Sequence, residues 1–154
     1  MKKILSRPTA LLTAFAGKFL AAFAEFGEQW LLPAVASATD LSSYQYRVMR
    51  LSAARTCNVA SHALGASGVG AAAGILQNNP TSGRAASIAY LGLSKAVAGA
   101  AVTVNAYIST DGSGYVIDAV SGTLAIGRAL EASTTAGDVI SVALFPPTRI
   151  GSVA

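Results

Sequence analysis

The sequence predicts a mainly β protein, a small β-barrel or β-sandwich domain preceded by an N-terminal amphipathic helix or arm. From residue 44 onward, apolar and polar residues alternate over short stretches, which is typical of strands. Gly, Asn, Asp and Pro separate these stretches at intervals typical of turns. Before residue 44, large apolar residues instead recur every three or four positions, which is helical spacing. We therefore divide the 154 residues into a helical arm with its linker, 1–43, and a β domain, 44–154.

The arm is predicted to form one helix over residues 9–32. Ser6 can cap its N-terminus, and Pro8 suits a first helical turn, where its missing N–H leaves no bond unmade. Pro33 would end the helix. The large apolar residues form a single stripe along it, made of Leu11, Phe15, Phe19, Phe23, Phe26 and Trp30.

Three interpretations of this helix compete. A membrane span needs about 20 predominantly apolar residues, and Lys18, Glu25 and Glu28 interrupt this segment, so we reject a span. A secretory signal peptide would explain the basic start and the uncharged stretch 8–17, although Lys18 cuts that stretch short. We favour a docking helix whose stripe packs on its own domain, a sister subunit or another protein.

After the helix, the small and polar residues 33–43 are predicted to form a linker. The alternating stretches that follow, predicted as strands, are 44–48, 102–108, 115–119 and 139–145. Both faces of the last one look buried. Residues 111–114 (DGSG) indicate a hairpin turn, 78–83 a loop around a proline, and 128–136 a loop between two strands.

Charge is sparse and unevenly placed. Charged residues make up 12% of the chain, which suggests that a partner covers much of its surface. The net charge of +4 belongs to residues 1–55, since residues 56–154 carry equal numbers of bases and acids. Such a front end suits nucleic acid or an acidic protein surface. Arg47 and Arg50 lie near two tyrosines, but this is too thin a basic and aromatic cluster for us to expect direct nucleic-acid binding.

The residues needed for catalysis or metal binding are scarce. His62 and Cys57 are the only histidine and cysteine, so one chain cannot build a conventional zinc site. The serine motif at 65–69 (GASGV) lacks the closing glycine of a nucleophile elbow. We expect no enzymatic activity, no metal and no cofactor, and we expect Cys57 to be a small buried apolar group.

Four phrases resemble a known family when taken in order. They are GILQNNP at 74–80, LGLSKAVAG at 91–99, AIGRALEA at 125–132 and AGDVISV at 136–142. Their order and spacing resemble the capsid cement, or head decoration, proteins of tailed bacteriophages, over about residues 44–146. The resemblance implies a compact β domain without catalysis. It also implies a trimer outside the head shell that clamps neighbouring major capsid subunits after the shell expands.

This resemblance leads us to expect a virion location on the outer capsid surface, with the major capsid protein and further copies of the chain, as a homotrimer, for partners. No direct nucleic-acid contact and no membrane are expected. The helix and linker lie outside the resemblance, and we interpret them as an arm that reaches the capsid or a neighbouring subunit. The residues expected to contact a partner are Leu11, Phe15, Phe19, Phe23, Phe26, Trp30, Arg47 and Arg50. The alternative is a secreted or surface adhesion module with a cleaved signal peptide.

Overall fold

A computed structural model describes residues 29–32, 35–53, 55–60 and 72–151. These residues form strands and turns, with no helix among them, which confirms the prediction of a mainly β protein. The strands are β1 (Trp30–Leu31), β2 (Val35–Ser37), β3 (Val48–Ala53), β4 (Thr56–Val59), β5 (Ala72–Leu76), β6 (Ala85–Ala86), β7 (Ile88–Val97), β8 (Tyr107–Thr110), β9 (Val116–Asp118), β10 (Leu124–Ala129) and β11 (Val139–Arg149).

The strands form one mixed sheet in the order β6-β2-β4-β3-β5-β7-β11-β10-β8-β9, and β1 also pairs with β7. Every pairing is antiparallel except that of β2 with β4. The ten-residue strand β7 joins the two halves of the sheet. Its first residues pair with β5, as in Ala89 opposite Ile75, and its last six pair with β11, up to Val97 opposite Val139.

Two groups of buried apolar residues make up the core. The larger group includes Val48 and Ile75 together with aliphatic residues of β7, β8, β10 and β11. The smaller group includes the next residues along the same two strands, Met49 and Leu76. Because successive side chains of a strand point to opposite faces, β3 and β5 are covered on both faces.

The pleat of β7 changes at Gly92. Before it, Ala89 belongs to the larger core group, whereas after it the buried positions are Ser94 and Ala96. Gly92 has a φ of +94°, a left-handed conformation that glycine adopts at low cost. Such a residue interrupts the regular alternation of a strand. As a result Leu93 and its alternate neighbours along β7 point away from the core.

The predicted helix over 9–32 is wrong at its C-terminal end. Trp30 and Leu31 form strand β1, opposite Leu91 and Ala89 of β7. The physical reason is that β7 offers unpaired backbone groups at this edge, and an extended segment satisfies them. The Leu32 N–H continues this pairing with a 2.9 Å bond to the Ile88 carbonyl. The rest of the predicted helix, with Leu11, Phe15, Phe19, Phe23 and Phe26, lies outside the described residues.

The segment predicted as a linker contributes to the sheet and to the core. Strand β2 lies in it, and Val35 and Ser37 are buried there between β4 and β6. Leu41 is fully buried in the smaller core group. Small side chains suit this place because β2 is enclosed by neighbouring strands. The division of the chain at residue 43 stays a prediction.

Two of the predicted strands are confirmed, and two begin later than predicted. Residues 116–118 and 139–149 are strands, and 111–114 is the turn between β8 and β9. Residues 44–47 and 103–106 lie outside strands, because Tyr46 and Asn105 have φ values of 63° and 66°. Left-handed residues do not fit an extended strand. The prediction that both faces of β11 are buried is also wrong, because residue 139 is 50% exposed.

Candidate functional site

Arg47, predicted to contact a partner, has its guanidinium packed against two tyrosine rings. The guanidinium carbon lies 4.8 Å from the ring centroid of Tyr44 and 4.0 Å from that of Tyr115. Its Nη2 donates to the Tyr115 hydroxyl at 2.5 Å, and its Nη1 donates to the Ser113 carbonyl at 3.3 Å. These contacts tie the turn before β3 to the β8–β9 hairpin, so Arg47 has a structural task inside the chain. Its contact with a partner stays a prediction.

The other two described residues with predicted partner contacts lie apart. Arg50 is half-buried on β3, and its Nε is a buried atom without a hydrogen-bond partner among the described residues. Trp30 is 56% exposed on β1. In the sheet, β7 and β5 separate β1 from β3. Arg47 therefore lies just before β3 and Arg50 lies on it, whereas Trp30 lies on a different strand that does not pair with β3.

All five acidic residues in the described part of the chain accept hydrogen bonds from backbone N–H groups. The N···O distances are between 2.8 and 3.2 Å for the pairs Asp40–Ser42, Asp111–Ser113, Asp118–Thr103, Glu131–Ser141 and Asp138–Thr135. The bond from the Ser42 backbone lowers the pKa of the Asp40 carboxyl. These carboxylates fix loops and turns. The described part of the chain has seven bases, of which four are exposed in the second half of the chain: Arg84, Lys95, Arg128 and Arg149.

One face of the β7–β11–β10–β8 half of the sheet points away from the core. A row of directly opposed residues crosses all four strands on this face: Leu93, Ala143, Arg128 and Tyr107. The alternate positions Lys95 and Val97 on β7 and their partners Ser141 and Val139 on β11 extend it. We call these eight residues the outer face. The opposite side of the same strands carries Ile108, Ile140 and Val142 in the core.

The outer face is apolar and basic. Exposure is 50% for Val139, 45% for Tyr107 and 41% for Leu93. Its two charged residues, Lys95 and Arg128, are both positive and exposed. The Arg128 guanidinium carbon lies 4.8 Å from the centroid of the Tyr107 ring, within the range of a cation–π contact. This arrangement holds the arginine and the tyrosine together as one amphipathic surface.

A groove adjoins the outer face at Tyr107. The Tyr107 ring meets the Phe145 ring edge-to-face, with centroids 6.1 Å apart and an interplanar angle of 82°. Both rings line a groove of about 440 Å³, together with Ala125, Thr148, Arg149, Ile150 and Gly151. An apolar side chain of a partner would meet two aromatic rings and Arg149 in this groove.

The described residues contain no group of three or more His, Cys, Asp or Glu side chains that could hold a metal ion. Within these same ranges, no helix is long and apolar enough to span a membrane.

The fold of this chain is similar to that of a solved phage structure. No protein-family model and no curated protein matches the chain. Among solved structures, the crystal structure of the head fiber gp8.5 N base of bacteriophage phi29 has a similar fold, with a TM-score of 0.55. The two sequences are 13% identical, and the match covers 77% of this chain and 94% of the phi29 chain. The described chain therefore shares its fold with this phage protein.

Hydropathy did not single out the outer face. In the segment Leu93 to Val97, the buried residues are Ser94 and Ala96, and the larger apolar residues point outward. The usual rule of apolar residues inside and polar residues outside would have assigned the faces in reverse. The sequence feature that could have indicated this face was the pair of phrases at 91–99 and 125–132, which contain Leu93, Lys95 and Arg128.

Proposed function

We propose that this protein is a structural component of a tailed-phage head, bound to the outside of the capsid, where it acts as cement between major capsid subunits. The observation that carries the proposal is the fold shared with a phage head fiber base over nearly all of that chain. The sequence phrases that resemble cement proteins support the same kind of particle independently.

The physical basis of cement action is added contact area across subunit joints. Buried apolar surface contributes about 25 cal/mol per Å², so a modest contact repeated over a symmetric shell adds considerable stability. A trimer would bind through linked sites and gain avidity. In this proposal the major capsid protein and further copies of the chain are the partners, and the protein performs no catalysis and binds neither nucleic acid nor membrane directly.

The test uses purified heads that lack this protein, assembled from the major capsid protein of the same phage. The full chain is added, and the heads are sedimented and heated. We expect the chain to co-sediment with heads and to raise the temperature at which they rupture. Absence of co-sedimentation would refute a head-associated role.

A second candidate is the base of a head fibre, which the phi29 neighbour favours because it is itself such a base. A fibre base must attach to the head but has no need to strengthen it. Saturating binding with an unchanged rupture temperature would therefore favour this candidate over cement. A higher rupture temperature would favour cement.

A further inference from the structure

We infer that the outer face, with the groove beside Tyr107, is the surface that binds the head, and that its partner is a protein surface combining apolar side chains with carboxylates. This inference rests on the proposed function and adds the chemistry of the contact. The occupant is therefore an acidic, partly apolar patch of the major capsid protein.

The charges of the face specify an acidic partner. Lys95 and Arg128 are its charged residues, and both are positive. The Glu131 carboxylate accepts the Ser141 N–H at 2.8 Å and so borders the face, but its single negative charge leaves the face and its border net positive. Complementary charge across an interface steers association and suppresses wrong partners. A second copy docking through the same face about a two-fold axis would bring like charges together, since such an interface is self-complementary.

The apolar residues of the face supply the contact area. Val139, Tyr107 and Leu93 are between 41% and 50% exposed, and they lie on β11, β8 and β7, across a width of four strands. Leu130 lies beside them, 42% exposed, with its N–H bonded to the Ser141 carbonyl at 2.9 Å. Tyrosine and arginine are enriched among the residues that dominate binding energy. An apolar partner side chain in the groove would contact the Tyr107 and Phe145 rings, which pack on one another, and would lie near Arg149.

The experiment compares head binding by the full chain and by charge-reversed variants. K95E and R128E change the outer face, while R84E is the matched control, because Arg84 is also exposed but lies next to β6 at the far end of the sheet order. Titrations by co-sedimentation are run at low and at high salt. Circular dichroism and thermal unfolding verify that each variant is folded. Because Arg128 contacts Tyr107, K95E provides the independent second variant.

We expect K95E and R128E each to weaken binding about tenfold or more, which corresponds to about 1.4 kcal/mol. We expect R84E to stay within about twofold of the unchanged chain, below the tenfold step of that scale. Added salt should weaken binding of the unchanged chain more than that of either outer-face variant, since screening acts on the charges they reverse.

Three results would overturn the inference in distinguishable ways. If the unchanged chain does not bind heads, the proposed function fails and the inference fails with it. If it binds and both outer-face variants bind as well as R84E, the inference fails while the proposed function stands. If sedimentation velocity shows that K95E and R128E break a self-assembled oligomer that R84E preserves, the outer face is an interface between copies, and the capsid assignment is wrong.

Discussion

Gly74 on β5 is the residue where a single added methyl group should damage the fold most. A Cβ at this position would lie 2.2 Å from the Ala89 carbonyl oxygen and 2.8 Å from its carbonyl carbon. Both atoms belong to the backbone of the central strand β7, so neither can move without disturbing the joint between the halves of the sheet. The φ of Gly74 is also +152°, in a region essentially restricted to glycine.

The expected loss of stability is the sum of the backbone strain and the steric overlap. Backbone strain of this kind costs about 1–3 kcal/mol, and a steric overlap in a packed interior costs about 1–3 kcal/mol more. We therefore expect Gly74→Ala to lower the free energy of unfolding by roughly 3 kcal/mol or more. For a chain of this size that corresponds to a melting temperature lower by about 6–12 °C.

Alanine substitutions at two other glycines measure the backbone strain and the steric overlap separately. Gly83 has a φ of +76° with nothing within 4 Å of the added Cβ, so Gly83→Ala tests backbone strain alone. At Gly127 the Cβ would meet the Ala143 carbonyl oxygen at 2.5 Å without a left-handed backbone, so Gly127→Ala tests contact alone. Urea unfolding followed by circular dichroism would give the three values. A Gly74→Ala protein as stable as Gly83→Ala would refute the close approach of β5 to β7.

Three further predictions concern a turn, the thiol and the N-terminal segment. Asp111→Ala should lower the free energy of unfolding in urea titrations by about 1–2 kcal/mol, because the carboxylate accepts the Ser113 and Tyr115 N–H groups at 2.8 and 2.9 Å. Asp111→Asn keeps an acceptor and should lose less stability. Equal losses of stability in the two variants would contradict the role of these hydrogen bonds. Cys57 is fully buried, and burial raises the pKa of its thiol. A thiol reagent at pH 8 should therefore modify Cys57 only in denaturant. Rapid labelling of the folded chain would contradict the burial. Deleting residues 1–28 removes none of the described strands and should reduce the occupancy of heads measured by co-sedimentation, and unchanged occupancy would contradict the arm hypothesis.

Local patterns in the sequence predict the class of the fold and some of its elements. A period of two identifies β9 and the start of β11, because alternation along one strand needs no knowledge of its neighbours. The DGSG turn is equally local, since the Asp111 carboxylate bonds to N–H groups only two and four residues away. These features are encoded within a few residues of where they act.

The rest depends on distant partners. Trp30 and Leu31 continue the helical spacing of the preceding residues, yet their pairing partners on β7 lie about 60 residues further along the chain. The outer face is hidden for a related reason. Ser94 can be buried because its hydroxyl accepts a 2.9 Å hydrogen bond from the Gln77 amide. No residue near Ser94 in the sequence predicts that bond.

The bonds from the carboxylates to backbone N–H groups restrict how this protein can change its charge during evolution. Removing an acidic residue such as Asp111 or Asp118 would leave loop N–H groups without their acceptor, so selection for stability should retain these positions. The exposed bases do not satisfy loop N–H groups, so a change at Arg84 or Arg149 would alter the surface at little cost to the fold. Adaptation to a new partner surface would therefore proceed mainly by gaining, losing or moving lysine and arginine residues.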